Sequence, residues 1–277
     1  MQAGMGLLRI VIAGMLLGAC FDPPVIPVQD DAQLPGTGDG AIVDGATALD
    51  AAVLDAAPLD AEPTVPLTDA TPGTVWVAGI SHYMDNRSTT DHVVDTPTGT
   101  IAGDLLVMIL ATRSSHVVTW PSDFSELSTH SRGMQLSVAT MTATGNIPTS
   151  FTAVTENFEK IRISVVTLRG VGGMPIGGIS DFSERDSHPI ADSIDAESDK
   201  SVVLAFFGYE RDGNNFTLDQ PAGFTGVLDP YESAQNMDLS LYLAFRSSTV
   251  SGATGPADWG NHGSSDGNWI AYQLEVK

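Results

Sequence analysis

The sequence predicts an all-β head, an antiparallel β-sandwich built from two related halves and carried behind an export signal and a linker. Three observations point there. Apolar residues alternate with period two in several segments, turn residues punctuate the chain at frequent intervals, and five blocks recur in the same order in the two halves. Composition agrees: 17% of the 277 residues are charged while Gly (28) and Pro (16) are plentiful, which suits strands and turns better than long solvated helices. Twelve Lys and Arg stand against 34 Asp and Glu, a formal charge of −22. That balance argues against nucleic acid as a partner, because phosphate binding draws its affinity from cationic side chains. The single cysteine, Cys20, excludes an intrachain disulfide framework.

Residues 1–19 read as an export signal. They hold one base, Arg9, and no acid, then an apolar run from Ile10 to Leu17 broken by Gly14, and a small-residue exit. The apolar run is too short to span a bilayer, which takes roughly 20 residues, and Pro23 and Pro24 follow at once. Leu17-Gly18-Ala19-Cys20 resembles the lipobox of bacterial lipoproteins. That resemblance implies cleavage before Cys20, acyl chains on Cys20 and membrane attachment through them. Several chains together make a near-permanent anchor at about 0.8 kcal/mol per buried methylene. Phe21 rather than Asp after Cys20 is similar to the pattern of lipoproteins passed to the outer membrane, so the implied location is the cell envelope, at that membrane.

Residues 20–72 read as the lipidated cysteine and a disordered acidic linker. From Phe21 to Pro72 there are eight prolines, ten acids and no base, and aromatics stop at Phe21. Such a segment cannot bury enough apolar surface to offset its chain entropy. The Leu-Asp-Ala units starting at Leu49, Leu54 and Leu59 repeat every five residues, a period that builds neither a helix face nor a strand face. The expected root-mean-square span is about 40 Å, a spacer between a membrane and a folded head.

Residues 73–277 read as the head, with half-units at about 73–173 and 174–277. Leu136, Val138 and Thr140 alternate with Gln135, Ser137 and Ala139, and Ile161, Ile163 and Val165 with Lys160, Arg162 and Ser164, which predicts strands with one buried face. Leu105 to Ala111 and Val202 to Phe207 are continuous apolar runs, expected of strands covered on both sides. Ala78-Gly79-Ile80-Ser81 recurs as Gly177-Gly178-Ile179-Ser180, Pro121-Ser122-Asp123-Phe124 as Pro221-Ala222-Gly223-Phe224, and Asp104 to Met108 is aligned with Lys200 to Leu204. Met134 to Val138 is aligned with Met237 to Leu241, and Ile161 to Arg169 with the closing Asn268 to Lys277. Gly103-Asp104-Leu105-Leu106-Val107, Pro121-Ser122-Asp123-Phe124 and Arg169-Gly170-Val171 together resemble modules of bacterial surface and phage-tail proteins. The resemblance implies a jelly-roll-like sandwich. Trp76, Phe124, Phe151, Phe206, Phe224, Tyr242 and Trp269 are the expected core aromatics. One interlocked sandwich is favoured over two tandem ones, because no Pro-rich linker separates the halves; Gly172-Gly173-Met174-Pro175 is the candidate seam.

Chemistry is sparse. His82, His92, His116, His130, His188 and His262 show no metal-binding spacing, no nucleophile elbow surrounds a serine, and no catalytic residue is assigned. Glu156 and Glu159 read as an exposed loop rather than paired catalytic acids. The acids Asp181, Glu184, Asp186, Asp192, Asp195, Glu197 and Asp199 form a run in which Ca²⁺ is conceivable, against the more ordinary reading of a solvated acidic face. Trp259, His262, Asp266, Asn268, Tyr231 and Glu232 form the candidate binding set, a ring for stacking on a sugar with polar groups for its hydroxyls; the alternative for Trp259 is a cap on the core edge. The expectation is therefore a lipid-anchored envelope protein whose non-catalytic head meets a glycan or protein partner or serves a structural role. Its rival is a polysaccharide-directed hydrolase on the same scaffold.

Overall fold

Both halves lay down the five strands of a large sheet in the same succession. The computed structural model describes residues 73–86, 89–210, 219–228, 239–247, 251–260 and 267–277. The export signal, Cys20 and the acidic linker lie outside the described residues. The first half contributes β1 (Trp76–Asn86), β2 (Asp91–Asp95), β3 (Leu105–Thr112), β4 (Val118–Thr119), β5 (Ser125–Arg132), β6 (Met134–Thr142), β7 (Ser150–Thr155) and β8 (Lys160–Arg169). The second contributes β9 (Ile176–Asp186), β10 (Ile190–Ala191), β11 (Asp195–Ala196), β12 (Val202–Glu210) and β13 (Thr225–Leu228). It closes with β14 (Leu239–Ser247), β15 (Gly252–Ala253), β16 (Ala257–Asp258) and β17 (Gly267–Val276). No helix occurs among the described residues, and every ladder is antiparallel.

Strand order makes the duplication explicit. The large sheet of the first half runs β1-β8-β3-β6-β5, and that of the second runs β9-β17-β12-β14-β13. First strand beside last, with a strand from the middle of the half next to it, is the jelly-roll arrangement. A smaller sheet, β2-β7-β4, covers the outer face of the first large sheet, and the short pairs β10-β16 and β11-β15 stand at the corresponding place in the second. Among the described residues no ladder joins a strand of one half to a strand of the other.

Three cores result. Between the two large sheets lie Leu105, Val107, Ile109, Leu136 and Val138 from one half and Leu204, Phe206, Leu243, Ile270 and Leu274 from the other. A second core, with Leu106, Met108, Phe124, Phe151 and Ile163, fills the space under β2-β7-β4. A third, with Phe207, Phe224, Tyr242, Trp259 and Trp269, lies on the outer face of the second large sheet. This explains the apolar runs of β3 and β12: each is interior to its sheet and covered on both faces, so odd and even positions feed different cores. It also corrects the expectation for β6 and β8, which are buried on both faces rather than one. Their polar residues are accommodated by mutual hydrogen bonds: Gln135 Nε2 donates to Ser137 Oγ (3.0 Å), which also accepts from Thr129 Oγ1 (2.9 Å). Of the expected core aromatics, Phe124, Phe151, Phe206, Phe224, Tyr242 and Trp269 are buried. Trp76 is half-buried instead, at the start of an edge strand, with the Arg169 guanidinium 5.3 Å from its ring centroid.

Fine detail repeats as well. β1 bulges between Val77 and Gly79 against β8, and β9 bulges at the equivalent place against β17. Beyond the bulge, Ser81 Oγ donates to the Asp95 carbonyl (2.5 Å) and Ser180 Oγ to the Asp192 carbonyl (2.7 Å). The same turn precedes β5 and β13, with Phe124 N–H bonding the Pro121 carbonyl (2.9 Å) and Phe224 N–H the Pro221 carbonyl (3.0 Å). One aligned block needs correction. Leu105 pairs with Leu168 and Val202 with Val276, and both face the central core, so Asp104 corresponds to Ser201 and not to Lys200. A one-residue slip would exchange the two faces of the strand.

The halves differ in how they handle a buried carboxylate at this end. Asp104 is buried and takes a two-pronged bond from Arg169, Nε to Oδ1 and a terminal nitrogen to Oδ2, both 2.9 Å. In the second half the buried acid is Glu275, on the closing strand. Its carboxylate accepts the N–H groups of Glu197, Ser198 and Gly178 at 2.9–3.3 Å. Burial alone would raise its pKa, but these bonds and one from the Ser201 side chain outweigh it and hold the carboxyl below the usual glutamate range. A side chain at Gly177 would displace this carboxylate, since a Cβ there would fall on Glu275 Oε2.

Candidate functional site

The edge strands β5 and β9 meet along one margin of the central core, and their side chains there are polar. On β5, Ser128, His130 and Arg132 alternate and so share a face; on β9, Asp181 and Ser183 do the same. The two strands place His130 between the two β9 residues. His130 Nδ1 lies 2.5 Å from Asp181 Oδ2, and Nε2 lies 2.9 Å from Ser183 Oγ. Arg132 reaches across beside them and donates to the Ser183 carbonyl (2.7 Å). Deeper in the seam the Tyr272 hydroxyl bonds Ser128 Oγ (3.1 Å). Burial pushes the Tyr272 phenol up to about 12, with the Asp181 and Glu126 carboxylates adding to the effect, so it stays protonated at neutral pH.

Proton placement follows from the partners. An ionised carboxylate accepts only, so Nδ1 of a neutral His130 ring carries the proton and points it at Asp181. Nε2 is then the acceptor and Ser183 the donor. The ring is held in the tautomer and orientation that allow it to draw on the Ser183 hydroxyl proton. His130 and Asp181 side chains are 31% and 45% exposed, so the chain of bonds is open to solutes.

This grouping is absent from the sequence-based assignments, although Asp181 stands in the acidic run and His130 among the six histidines. Its members lie 51 and 53 residues apart in the chain, so no local motif marks them. The only short-range trace is the Asp181-x-Ser183 spacing, which places two residues on one side of a strand. His116, next to Ser115 in the sequence, is held by a carboxylate instead: its Nε2 bonds the buried Glu159 carboxylate (2.9 Å), whose other oxygen accepts the Lys160 N–H (3.1 Å).

The candidate binding set is not assembled by its described members. Trp259 is fully buried, tilted against Phe207 with ring centroids 4.6 Å apart. Its face is committed to the third core and offers no platform for a sugar. Asn268 belongs to the clasp between the halves: its Nδ2 donates to Glu210 Oε2 (2.8 Å), whose other oxygen accepts from Arg113 Nε of the first half (3.2 Å). Tyr231, Glu232, His262 and Asp266 lie outside the described residues. The acids named for Ca²⁺ are dispersed. Asp181 serves His130, and Glu197 pairs with Lys277 near the Glu275 site. Among the described residues no three His, Cys, Asp or Glu side chains are grouped so as to hold a metal ion.

No protein-family model, curated protein or solved structure matches this chain.

Proposed function

We propose that this chain is a lipid-anchored protein of the cell envelope whose double-sandwich head engages a glycan or protein partner, or a structural neighbour, at a distance set by the acidic linker. The observation that carries this reading is the succession Leu17-Gly18-Ala19-Cys20, placed directly after an apolar run and directly before 52 residues without a base. Acyl chains on Cys20 supply the attachment, and the like charges of the linker extend it away from an anionic surface. The rival reading, a polysaccharide hydrolase with two opposed carboxylates, gains nothing from Glu159, which is held by His116.

Substituting Cys20→Ser and fractionating cells tests the anchor. The unaltered protein is expected in the membrane fraction with an acylated amino-terminal cysteine by mass spectrometry, and the variant in the soluble fraction. A variant that stays with the membrane, or an unaltered protein with a free Cys20 thiol, rejects the reading. A glycan array probed with the purified protein addresses the partner class.

A further inference from the structure

We infer that Ser183, His130 and Asp181 form a nucleophilic site that cleaves short-chain acyl esters, with Arg132 as the electrophilic group beside it. The inference is independent of the lipid anchor and concerns the head alone.

Geometry carries it. Two residues at i and i+2 of a strand are roughly 6.8 Å apart. That separation admits one imidazole with a hydrogen bond at each of its nitrogens. β9 supplies such a pair in Asp181 and Ser183, and β5 lays His130 between them with bonds of 2.5 and 2.9 Å. The order matters: carboxylate on Nδ1 and hydroxyl on Nε2 is the sequence of contacts that lets the ring act as a general base toward the serine. Arg132, held to the Ser183 carbonyl, places a cation at the residue that carries the hydroxyl, and a guanidinium has five N–H donors. Donors so placed favour a carbonyl oxygen that becomes negative in the transition state.

The same geometry selects the substrate class. The neighbours on this strip are Ser128, Arg132 and the hydroxyl of Tyr272, all polar, and the site lies on an open margin. A long acyl chain would find no apolar wall among them. A short acyl group such as acetyl, carried on a polyhydroxylated alcohol, matches both features.

The reaction balances with water as the second reactant. Ser183 Oγ bonds to the ester carbonyl carbon as its proton passes to His130 Nε2. The carbon–oxygen bond to the alcohol then breaks, and the alcohol leaves with that proton. Water, losing a proton to His130, attacks the acyl-serine; the acid departs and Ser183 regains its proton. Asp181 acts through His130 and is a positioning residue.

The full chain, purified in detergent, is treated with a fluorophosphonate probe and mapped by peptide mass spectrometry. A phosphonate on Ser183, formed as the P–F bond breaks and fluoride leaves, supports the proposal; an unlabelled Ser183 overturns it without recourse to any variant. With p-nitrophenyl acetate, Ser183→Ala and His130→Ala are expected to lose at least about 100-fold in kcat, the lower range for a base and its nucleophile. Asp181→Asn is expected to lower kcat with KM unchanged. The loss should be smaller than the roughly 10⁴-fold found for a buried triad carboxylate, since Asp181 is partly solvated. Turnover by Ser183→Ala within twofold of the unaltered protein would mean that these three residues are only a latch between the halves.

Discussion

His82 shows how a single side chain sets a response to pH. It stands on β1, and its Nδ1 lies 2.9 Å from the hydroxyl of Ser164 on β8. Burial lowers its pKa from the ordinary 6.5 to about 4, because desolvation disfavours the charged ring. The unfolded chain therefore takes up this proton near pH 6.5 and the folded chain near 4. Between those values the unfolded state binds more protons, so stability falls as the solution is acidified through the window and is unaffected by this group above it. His92, fully buried and hydrogen-bonded to Thr155 Oγ1 (2.8 Å), is lowered by burial too and adds to the same trend. Replacing His82 by Asn keeps a polar group for Ser164 but removes the titration. The expected outcome is a melting temperature that drops less than that of the unaltered protein between pH 7.5 and pH 5, a saving on the order of 1–2 kcal/mol at pH 5. Equal drops in the two proteins would place the acid sensitivity elsewhere. None of this is legible from the residue alone: His82 and His130 carry the same side chain and acquire different partners, Ser164 and Asp181, from strands far away in sequence.

At the scale of the element, what could be read in advance is what is local. Period-two alternation and the Pro121 and Pro221 turns depend on near neighbours, and strands and turns stand at those places. The second buried face of β6 and β8 was hidden because Ser137, Ser164 and Thr167 look like solvent-facing residues until their hydrogen-bond partners on other strands are known. Trp259 misleads for a related reason. Its polar neighbours in sequence suggest a binding loop, yet β16 directs the ring inward while the Trp259 N–H is tied to the Pro189 carbonyl (3.2 Å). Among the described residues the indole Nε1 has no hydrogen-bond partner. Trp259→Ala is expected to cost about 3–5 kcal/mol, the usual range for emptying an aromatic site. Trp259→Phe should cost much less, since removing an unsatisfied buried donor returns about 1–3 kcal/mol against the lost volume. Denaturant titrations of the two variants check this. Similar, small losses in both would mean that the ring is not a core residue and would restore it as a ligand contact.

On the scale of the whole molecule, the described residues join the halves by packing, with no ladder shared between them. Each large sheet presents an apolar face, polar along the β5–β9 margin, to the other, with Leu105, Val107, Ile109, Leu136 and Val138 meeting Phe206, Leu243, Ile270 and Leu274. Gly208 lies in the same face as these residues, and a Cβ there would stand 2.4 Å from the Met134 methyl, so the sheets approach closely at that point. Arg113, Glu210 and Asn268 close one side of the interface, while backbone bonds from Val75 to Lys200 and from Gly172 to Lys277 (both 2.9 Å) tie the segments near the linkage between halves. The five recurring sequence blocks announce the duplication, but face-to-face stacking is a property of tertiary contacts and could not be taken from them. A half-unit covering residues 73–173 should therefore keep its own outer core and yet expose the whole central face. Exposed contiguous apolar surface of that kind drives association. Expressed alone, this half is expected to dimerise through the uncovered face, in imitation of the missing half, or to aggregate. Light scattering after size-exclusion chromatography distinguishes these outcomes from a stable monomer. A soluble monomer with the melting temperature of the full head would show that the central core contributes little, and that the halves are neighbours rather than one cooperative unit. Introducing Phe206→Asp in the full chain gives the complementary result: a charge placed where β12 faces β6 should destabilise both halves in a single transition.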